Sequence, residues 1–379
     1  MKAKLRIEKI VLIFTILGMF YSFNLLWDNY LPKYFELIGM PLIFIGIIYT
    51  LYQLFGGLFS FFTFSFYAKF SKREVILLTY LLDILLLLIF LSTRNWIFLF
   101  LPLILRGISE GLGGTVASSL LLEKLKKRRR ALGFSLTYLS NYVAPIFIVP
   151  LGGFILEKLG FLEGMKLNFS ICLIFSFISF FLFYFLTKNL KDRSKVKRFK
   201  FKHLFKKLKS YAFWLALTWF GLSVPIVVLP LYFMSKLGVS PSFYGSLISI
   251  ELFSSSLFLL IGGKISDKIG RKHPLLLIPF ASFLFYLLII SSNLIWVWII
   301  AFFIAGIEKI GISSIFPYGE EISKEVEKTT GLINFLLWTV TIPSPLIGTY
   351  LYSLNFYLPF LFTLLVCFIS LILGIKILK

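Results

Sequence analysis

The sequence predicts an all-α integral membrane protein with twelve transmembrane helices in two pseudo-symmetric six-helix bundles. Three observations support this: an excess of apolar residues, the number of long apolar runs, and a repeat near half the chain length. Hydrophobic residues make up 59% and charged residues 15% of the 379 residues, and the mean hydropathy is +0.92. Soluble domains are about 45–50% apolar and about 25% charged, so the excess apolar side chains must face lipid. This composition excludes a soluble enzyme, a disulfide-stabilised secreted domain and a disordered regulator.

The apolar runs account for the twelve spans, because a transmembrane helix needs roughly 20 mainly apolar residues. Uncharged runs that meet this length are 10–27, 37–68, 131–156, 167–187 and 210–235. Two runs are long enough for two helices each, 274–307 and 329–375, and we expect polar turns to divide them at 291–293 and 353–355. Spans with internal charges near 75–93, 95–119 and 242–263 complete the count.

The basic residues predict the orientation. The two termini and every second loop hold 32 of the 39 lysines and arginines, which places both termini in the cytoplasm of a cell (plasma) membrane protein. The largest basic block lies between the two predicted bundles, where Lys188–Lys209 contains eleven basic residues and one acid. We interpret this block as a cytoplasmic loop against anionic lipid headgroups, and we expect no nucleic-acid partner.

An internal repeat supports two similar halves. Leu31-Pro32 recurs as Leu229-Pro230, and Gly107-Ile108 recurs as Gly306-Ile307, with offsets of 198 and 199 residues. The predicted organisation is an N-terminal bundle over 1–187, a basic cytoplasmic linker over 188–210 and a C-terminal bundle over 211–379. Two such bundles side by side are typical of transporters that expose a central site to either side of the membrane in turn.

A loop motif follows the predicted eighth span. Its residues are Gly263, Asp267, Lys268, Gly270, Arg271 and Lys272. Their spacing resembles the G-x-x-x-D-[RK]-x-G-R-[RK] motif of the major facilitator superfamily, whose fold and transport activity the resemblance implies for the whole chain. The resemblance also implies that Asp267 pairs with Arg271, or faces the start of the eleventh helix near 329–331, as a latch on the cytoplasmic side. The alternative is a simple basic turn.

Two other segments depart from the family pattern. The loop after the second span has Ala68 where the motif has an acid, and the fifth span reads Ala144-Pro145 and later Gly152-Gly153 instead of the antiporter glycine run. The latch is therefore expected in the second half of the chain.

Charged residues inside the predicted spans are the candidate site, because an ionisable group at mid-membrane costs several kcal/mol. They are Arg106, Glu110, Glu251, Glu308 and Lys309. Arg106 and Glu110 lie four residues apart on one helix face, and Glu110 is equivalent to Lys309 in the repeat. The resemblance implies that both line a central cavity. We expect Glu110 to carry a proton or pair with substrate; the alternative is a static Arg106–Glu110 pair that holds helices together.

Two other acids are assigned structural positions. Asp83 lies near mid-span on a helix that the family places at the periphery, so a structural partner is expected for it. Asp28 lies close to the outer end of the first span, where we expect the membrane interface.

Three classes of function compete at this point. A proton-linked transporter leads, with export of lipophilic or drug-like compounds ahead of uptake of a sugar or organic anion, which Arg106 and Lys309 would favour. An enzyme would need a nucleophile, metal or cofactor motif that the sequence lacks, and a channel would need re-entrant filter segments. We therefore expect no catalytic residue, metal or cofactor, and a monomer whose partners are membrane lipids, a small-molecule substrate and protons as the coupling ion.

Overall fold

The structure is a computed structural model that describes residues 2–124, 140–188, 201–324 and 326–378. Contacts divide the chain into two compact units, Met1–Gly39 with Leu51–Arg198 and Met40–Thr50 with Phe199–Lys379. Residues 189–200 of the predicted basic linker lie outside the described residues. The remainder of that linker, from residue 201 onward, is the start of a helix rather than a loop.

The first unit is built from six long helices. They are α1 (Lys2–Tyr21), α2 (Leu42–Lys69), α3 (Lys72–Ser92), α4 (Phe100–Lys124), α5 (Pro145–Leu159) and α6 (Phe161–Leu186), with the first turns of α2 assigned to the second unit. Ser71 begins α3 with a capping box, in which its hydroxyl and the Glu74 carboxylate each accept a backbone N–H of the other residue. The core lies where α1, α3, α4 and α6 meet, and consists of Ile13, Phe14, Leu17, Val75, Ile76, Leu112, Val116 and Phe183.

The second unit contains six further helices, two of them interrupted. They are α7 (Phe201–Ser223), α8 (Pro241–Ile269), α9 (Lys272–Ser291), α10 (Ile295–Ala305 and Glu308–Ser323), α11 (Val326–Thr341 and Ser344–Leu354) and α12 (Leu358–Ile377). Its core joins α7, α9, α10, α11 and α12 through residues that include Tyr211, Trp214, Ile278, Ile315 and Ile333.

Nine helices in the described part of the chain are long and apolar enough to cross a membrane. The other three predicted spans fall in α1, α4 and α7, each of which contains charged side chains. The all-α multi-pass membrane architecture is thereby confirmed, and the count of twelve spans stays a prediction.

The two predicted turns are confirmed. One lies between α9, which ends at Ser291, and α10, and the other lies between α11, which ends at Leu354, and α12. The breaks inside α10 and α11, and those that follow α1 and α7, are not among the predicted turns.

The breaks after α1 and α7 show the internal repeat in three dimensions. In each unit a short helix follows the first long one, and it begins with the repeated Leu-Pro pair, Leu31-Pro32 or Leu229-Pro230. Proline suits this position because its missing N–H is not needed in the first helical turn. The repeat therefore places a re-started helix at the same point of both units.

A repeated glycine also has the same packing role in both units. A Cβ on Gly107 of α4 would lie 2.4 Å from the Tyr52 carbonyl oxygen of α2, and one on Gly306 of α10 would lie 2.6 Å from the Ser255 backbone nitrogen of α8. These distances are too short for any side chain, so glycine lets the two helices of each pair touch through their backbones.

We expect Gly107→Ala to lower the free energy of unfolding by about 1–3 kcal/mol, because the new methyl group must push the α2 backbone away. Thermal or denaturant unfolding in detergent measures the effect. Gly114→Ala in the same helix is the matched control, since a Cβ there meets nothing within 4 Å. Equal unfolding of the two variants would contradict close backbone packing at Gly107.

Candidate functional site

A charged cluster in the first unit is centred on Arg106 of α4. Its Nε donates a hydrogen bond to Glu110 Oε1 at 2.8 Å, as expected for residues one helical turn apart. Its Nη1 and Nη2 donate to the two carboxylate oxygens of Asp28 at 2.5 and 2.7 Å. Only 13% of the Arg106 side chain is exposed. The guanidinium is thus clamped between two carboxylates from different parts of the chain, with the bidentate geometry that arginine favours.

Aromatic side chains surround this cluster. The Arg106 guanidinium carbon lies 4.8 Å from the centre of the buried Trp27 ring and 5.7 Å from that of Tyr52, within cation–π range. The Tyr52 hydroxyl donates to Glu110 Oε2, and the Tyr21 hydroxyl donates to Glu110 Oε1 at 3.4 Å. Glu110 therefore lies among aromatic rings and receives donors from α1, α2 and α4.

Asp28 is the residue that the sequence did not assign to this site. The sequence predicts it at the membrane interface, but it lies in a short helix, Leu25–Asp28, that turns its carboxylate onto Arg106. One signal could have indicated it: Arg106 has five N–H donors, which Glu110 alone does not satisfy. Asp28 is the only acid between Glu8 and Glu36.

A second cluster lies in the second unit, at the break of α10. Lys309 Nζ donates to Glu308 Oε1 at 2.5 Å, and Ser282 of α9 donates to Glu308 Oε2 at 3.3 Å. Glu251 of α8 is close enough to both Glu308 and Lys309 to interact with them electrostatically. Glu308 begins the second α10 segment, where the helix dipole favours a negative charge. All three sequence-predicted residues of this unit are thus brought together.

The two clusters share one charge pattern. Asp28 and Glu110 share Arg106, and Glu251 and Glu308 share Lys309, so each cluster has two carboxylates and one basic side chain. In the described residues no group of three or more His, Cys, Asp or Glu side chains is placed to hold a metal ion. The carboxylates are the groups of these clusters that can bind a proton or pair with a cation.

Asp83 of α3 lies beside the first cluster, close enough to Arg106 and Glu110 to interact with them electrostatically, and makes its own hydrogen bond to α4. It is 6% exposed and accepts a hydrogen bond from the Ser109 hydroxyl at 2.7 Å. This buried contact gives Asp83 the structural partner that the sequence predicts.

The loop motif between α8 and α9 is described in part. Gly263 and Asp267 both lie in α8, and the side chain of Asp267 lies outside the part of the chain that the structure describes. Arg271 donates to Glu321 Oε1 of α10 at 3.2 Å and to the Ser266 hydroxyl at 2.7 Å. Gly270 has a φ of 85°, which glycine adopts without strain. The turn thus directs Arg271 toward the end of α10.

Two other motif residues also have described positions. Lys268 is exposed in the last turn of α8. Lys272 donates to the carbonyl oxygen of Ile375 at 3.0 Å, at the last turn of α12. This motif therefore ties α9 to the ends of two other helices of its unit. Helix α11, the suggested partner of the latch, begins at Val326, three residues before the predicted start.

Comparison with known proteins places this architecture in a family. The sequence profile described as Major Facilitator Superfamily matches residues 10–223 and 211–379. The chain belongs to the major facilitator superfamily. Family membership and the transporter fold indicate a transporter and not an enzyme.

Solved structures of major facilitator type resemble the chain over nearly its full length. The nucleoside transporter NupG has a TM-score of 0.74 at 15% identity, over 97% of this chain and 98% of that one. A bacterial homologue of the iron transporter ferroportin, in an inward-facing state, has a TM-score of 0.73 at 16% identity, over 98% of each chain. The peptide transporter POT bound to alafosfalin has a TM-score of 0.70 at 14% identity, over 98% of this chain and 93% of that one.

These identities support a shared fold alone. A comparison with curated protein sequences gives no match.

Proposed function

We propose that this protein is a secondary active transporter of the plasma membrane, with both termini in the cytoplasm, that exports lipophilic or drug-like compounds in exchange for protons. The observation that carries the proposal is the charge pattern of the two clusters. Each has one carboxylate more than it has basic side chains.

An uncompensated carboxylate in a low-dielectric site is costly, because the loss of hydration is not repaid by a counter-charge. A bound proton or a cationic substrate removes that cost. A site that takes one or the other can exchange them across the membrane, provided that it opens to each side in turn. The charge pattern thus supports proton exchange by alternating access.

The aromatic surroundings of Glu110 favour a lipophilic cation as the exchanged compound. Tyr21 and Tyr52 bond to the carboxylate, and Trp27 and Tyr52 already hold the Arg106 cation over their rings. Such rings attract organic cations through their π faces. The structures named above are a nucleoside transporter, a peptide transporter and a homologue of an iron transporter, so the fold by itself does not select a substrate.

Uptake of a sugar or organic anion is the competing function. The contacts of Arg106 and Lys309 disfavour the uptake of an anion. Arg106 is bonded to Asp28 and Glu110, and Lys309 is bonded to Glu308. An incoming anion would have to displace one of these carboxylates. An anion site would instead offer an uncompensated basic group.

Proteoliposomes with an internal pH dye test the proposed function. We expect lipophilic cations, added under an imposed pH gradient, to release protons from the lumen only when the protein is present. Proton flux with sugars or organic anions, and none with lipophilic cations, would overturn export in favour of uptake.

We expect Glu251→Gln to abolish the proton release that depends on substrate, because the amide cannot bind and release a proton. The free energy of unfolding should change little, because Glu251 has no hydrogen bond or ion pair to a described side chain. The same dye assay measures this. Glu36→Gln, which removes an outer carboxylate bonded to Lys33, is the control and should keep full flux. Full flux in Glu251→Gln would remove Glu251 from the coupling site.

A further inference from the structure

A cavity of about 230 Å³ lies in the first unit, away from the charged cluster, where α3 ends and α6 begins. Its wall includes Arg94 and Lys166, the hydroxyl-bearing Tyr34 and Thr93, and the rings of Phe90 and Phe169. The side that contains this cavity is the one that the basic residues predict to be outside the cell.

The cavity brings together two basic side chains on the predicted outer side of the protein, where basic residues are few. The outer loops contain five basic residues, and two of them, Arg94 and Lys166, line this one cavity. No aspartate or glutamate is among the lining residues. Outside this lining, Glu163 bonds to Arg94 and interacts electrostatically with Lys166, so it offsets one of the two positive charges. The cavity keeps a net positive charge, which an anion complements.

The basic groups of the cavity retain donors for a ligand. Arg94 donates one Nη2 hydrogen bond to Glu163 at 2.5 Å, which raises the pKa of Arg94 above its usual value and leaves its other N–H groups for further contacts. Lys166 forms no ion pair with any residue that the structure describes. Its ammonium group has three N–H donors, which rotate freely. By contrast, outer Lys33 is paired with Glu36 at 2.6 Å.

Neutral donors complete the polar wall. Thr93 accepts the Asn95 backbone N–H at 3.1 Å, which leaves its own hydroxyl hydrogen available to a ligand. Arg94 lies close enough to the Tyr34 hydroxyl to interact with it electrostatically. Two cations with hydroxyl donors at their side form the type of site that binds phosphate oxygens.

Apolar side chains complete the wall near the ends of two membrane-spanning helices. Phe90 and Phe169 stack with their ring centres 4.8 Å apart, and Lys166 is five residues into α6, about 8 Å along the helix from its start. The lining thus offers a ligand both charged groups and aromatic rings. A phospholipid has the same division, with its phosphate at the membrane surface and its acyl chains below.

We propose that this cavity binds the phosphate group of an anionic phospholipid in the outer leaflet. The cavity shares no lining residue with the charged cluster, although Phe90 and Phe169 of its wall pack against Trp27, which covers Arg106. Its test is a binding measurement and needs no transport assay.

Native mass spectrometry of the detergent-purified protein with added phosphatidylglycerol tests the proposal. We expect a retained lipid adduct whose affinity falls about fivefold in Lys166→Gln and about thirtyfold in the Arg94→Gln, Lys166→Gln double variant, from the usual contribution of a basic side chain near anionic lipid. Lys158→Gln is the matched control: it is also an outer lysine, but its ammonium lies over the Phe154 ring outside the cavity. Its adduct should equal that of the unmodified protein.

Two further measurements, with inorganic phosphate and with a zwitterionic lipid, identify the source of the phosphate group. Excess inorganic phosphate should neither displace the adduct nor raise the melting temperature, and zwitterionic phosphatidylcholine should be retained less than phosphatidylglycerol. Displacement by inorganic phosphate would overturn the lipid assignment in favour of a free-phosphate site. Equal adducts in the double variant and in Lys158→Gln would overturn the site itself. Lys166→Gln breaks no ion pair among the described residues, so it keeps the test valid if the double variant fails to fold.

Discussion

Glu110→Gln is expected to abolish transport driven by a pH gradient while the exchange of substrate for substrate continues. The glutamine keeps the size of the side chain and an oxygen that can accept the Arg106 hydrogen bond, while its NH2 group faces the Tyr52 hydroxyl, whose oxygen can accept from it. It cannot bind and release a proton, so only the coupled reaction is lost. Proteoliposome assays with and without a pH gradient, on equal amounts of folded protein, measure the two reactions separately.

The exposed carboxylate Glu163 provides the control for this variant. Glu163→Gln breaks an ion pair with Arg94 at the protein surface and should leave both reactions unchanged. If Glu110 serves only to hold helices together, Glu110→Gln will lower thermal stability, and the protein that remains folded will still respond to the pH gradient. That outcome would remove Glu110 from proton coupling.

The largest stability effect is expected for Arg106→Gln. This change leaves the Asp28 and Glu110 carboxylates together without their shared counter-charge, and removing one member of a buried ion pair costs about 3–5 kcal/mol. Unfolding in mixed detergent should therefore show a much lower midpoint. Arg94→Gln is the matched control, because its pair with Glu163 is exposed and such pairs contribute about 0–1 kcal/mol.

A double variant identifies the cause of this loss. Adding Asp28→Asn to Arg106→Gln should restore part of the stability, because one of the two repelling carboxylates is then neutral. Additive effects would contradict this: the double variant would then be less stable than Arg106→Gln by the same amount that Asp28→Asn destabilises the unmodified protein. In that case the Asp28–Arg106 bond does not couple the two residues. The bidentate contact would then contribute little to the free energy of unfolding.

Local sequence patterns predicted the helical elements well. The polar turns near 291–293 and 353–355 and the repeated Leu-Pro and glycine positions have structural counterparts, and so do the apolar runs in the described part of the chain. Residues 131–139 of the run 131–156 lie outside that part. The break inside α11 did have a local signal, because Pro343 and Pro345 stand where the second segment begins. The α10 break, at Gly306-Ile307, lies at the end of an uncharged apolar run, where hydropathy cannot distinguish a continuous helix from an interrupted one.

The candidate site was predicted in part for a similar reason. A charge inside an apolar span is conspicuous in one dimension, so Arg106, Glu110, Glu251, Glu308 and Lys309 could all be named from the sequence. Tyr21 and Tyr52 could not be assigned, and the only signal for Asp28 was that Glu110 alone does not satisfy the donors of Arg106. A tyrosine is unremarkable among 18 tyrosines, and Asp28 is close to the end of its predicted span.

The sequence by itself determined the membrane environment, the family resemblance and the residues that carry charge into the membrane, because each of these depends on composition and local spacing. Tertiary structure decided which charges share a partner: Asp28 reaches Arg106 across 78 positions of the chain, and Tyr52 reaches Glu110 across 58. Such pairings depend on how helices turn and pack against each other. The balance of two carboxylates against one basic group in each unit is therefore visible only once the helices are placed.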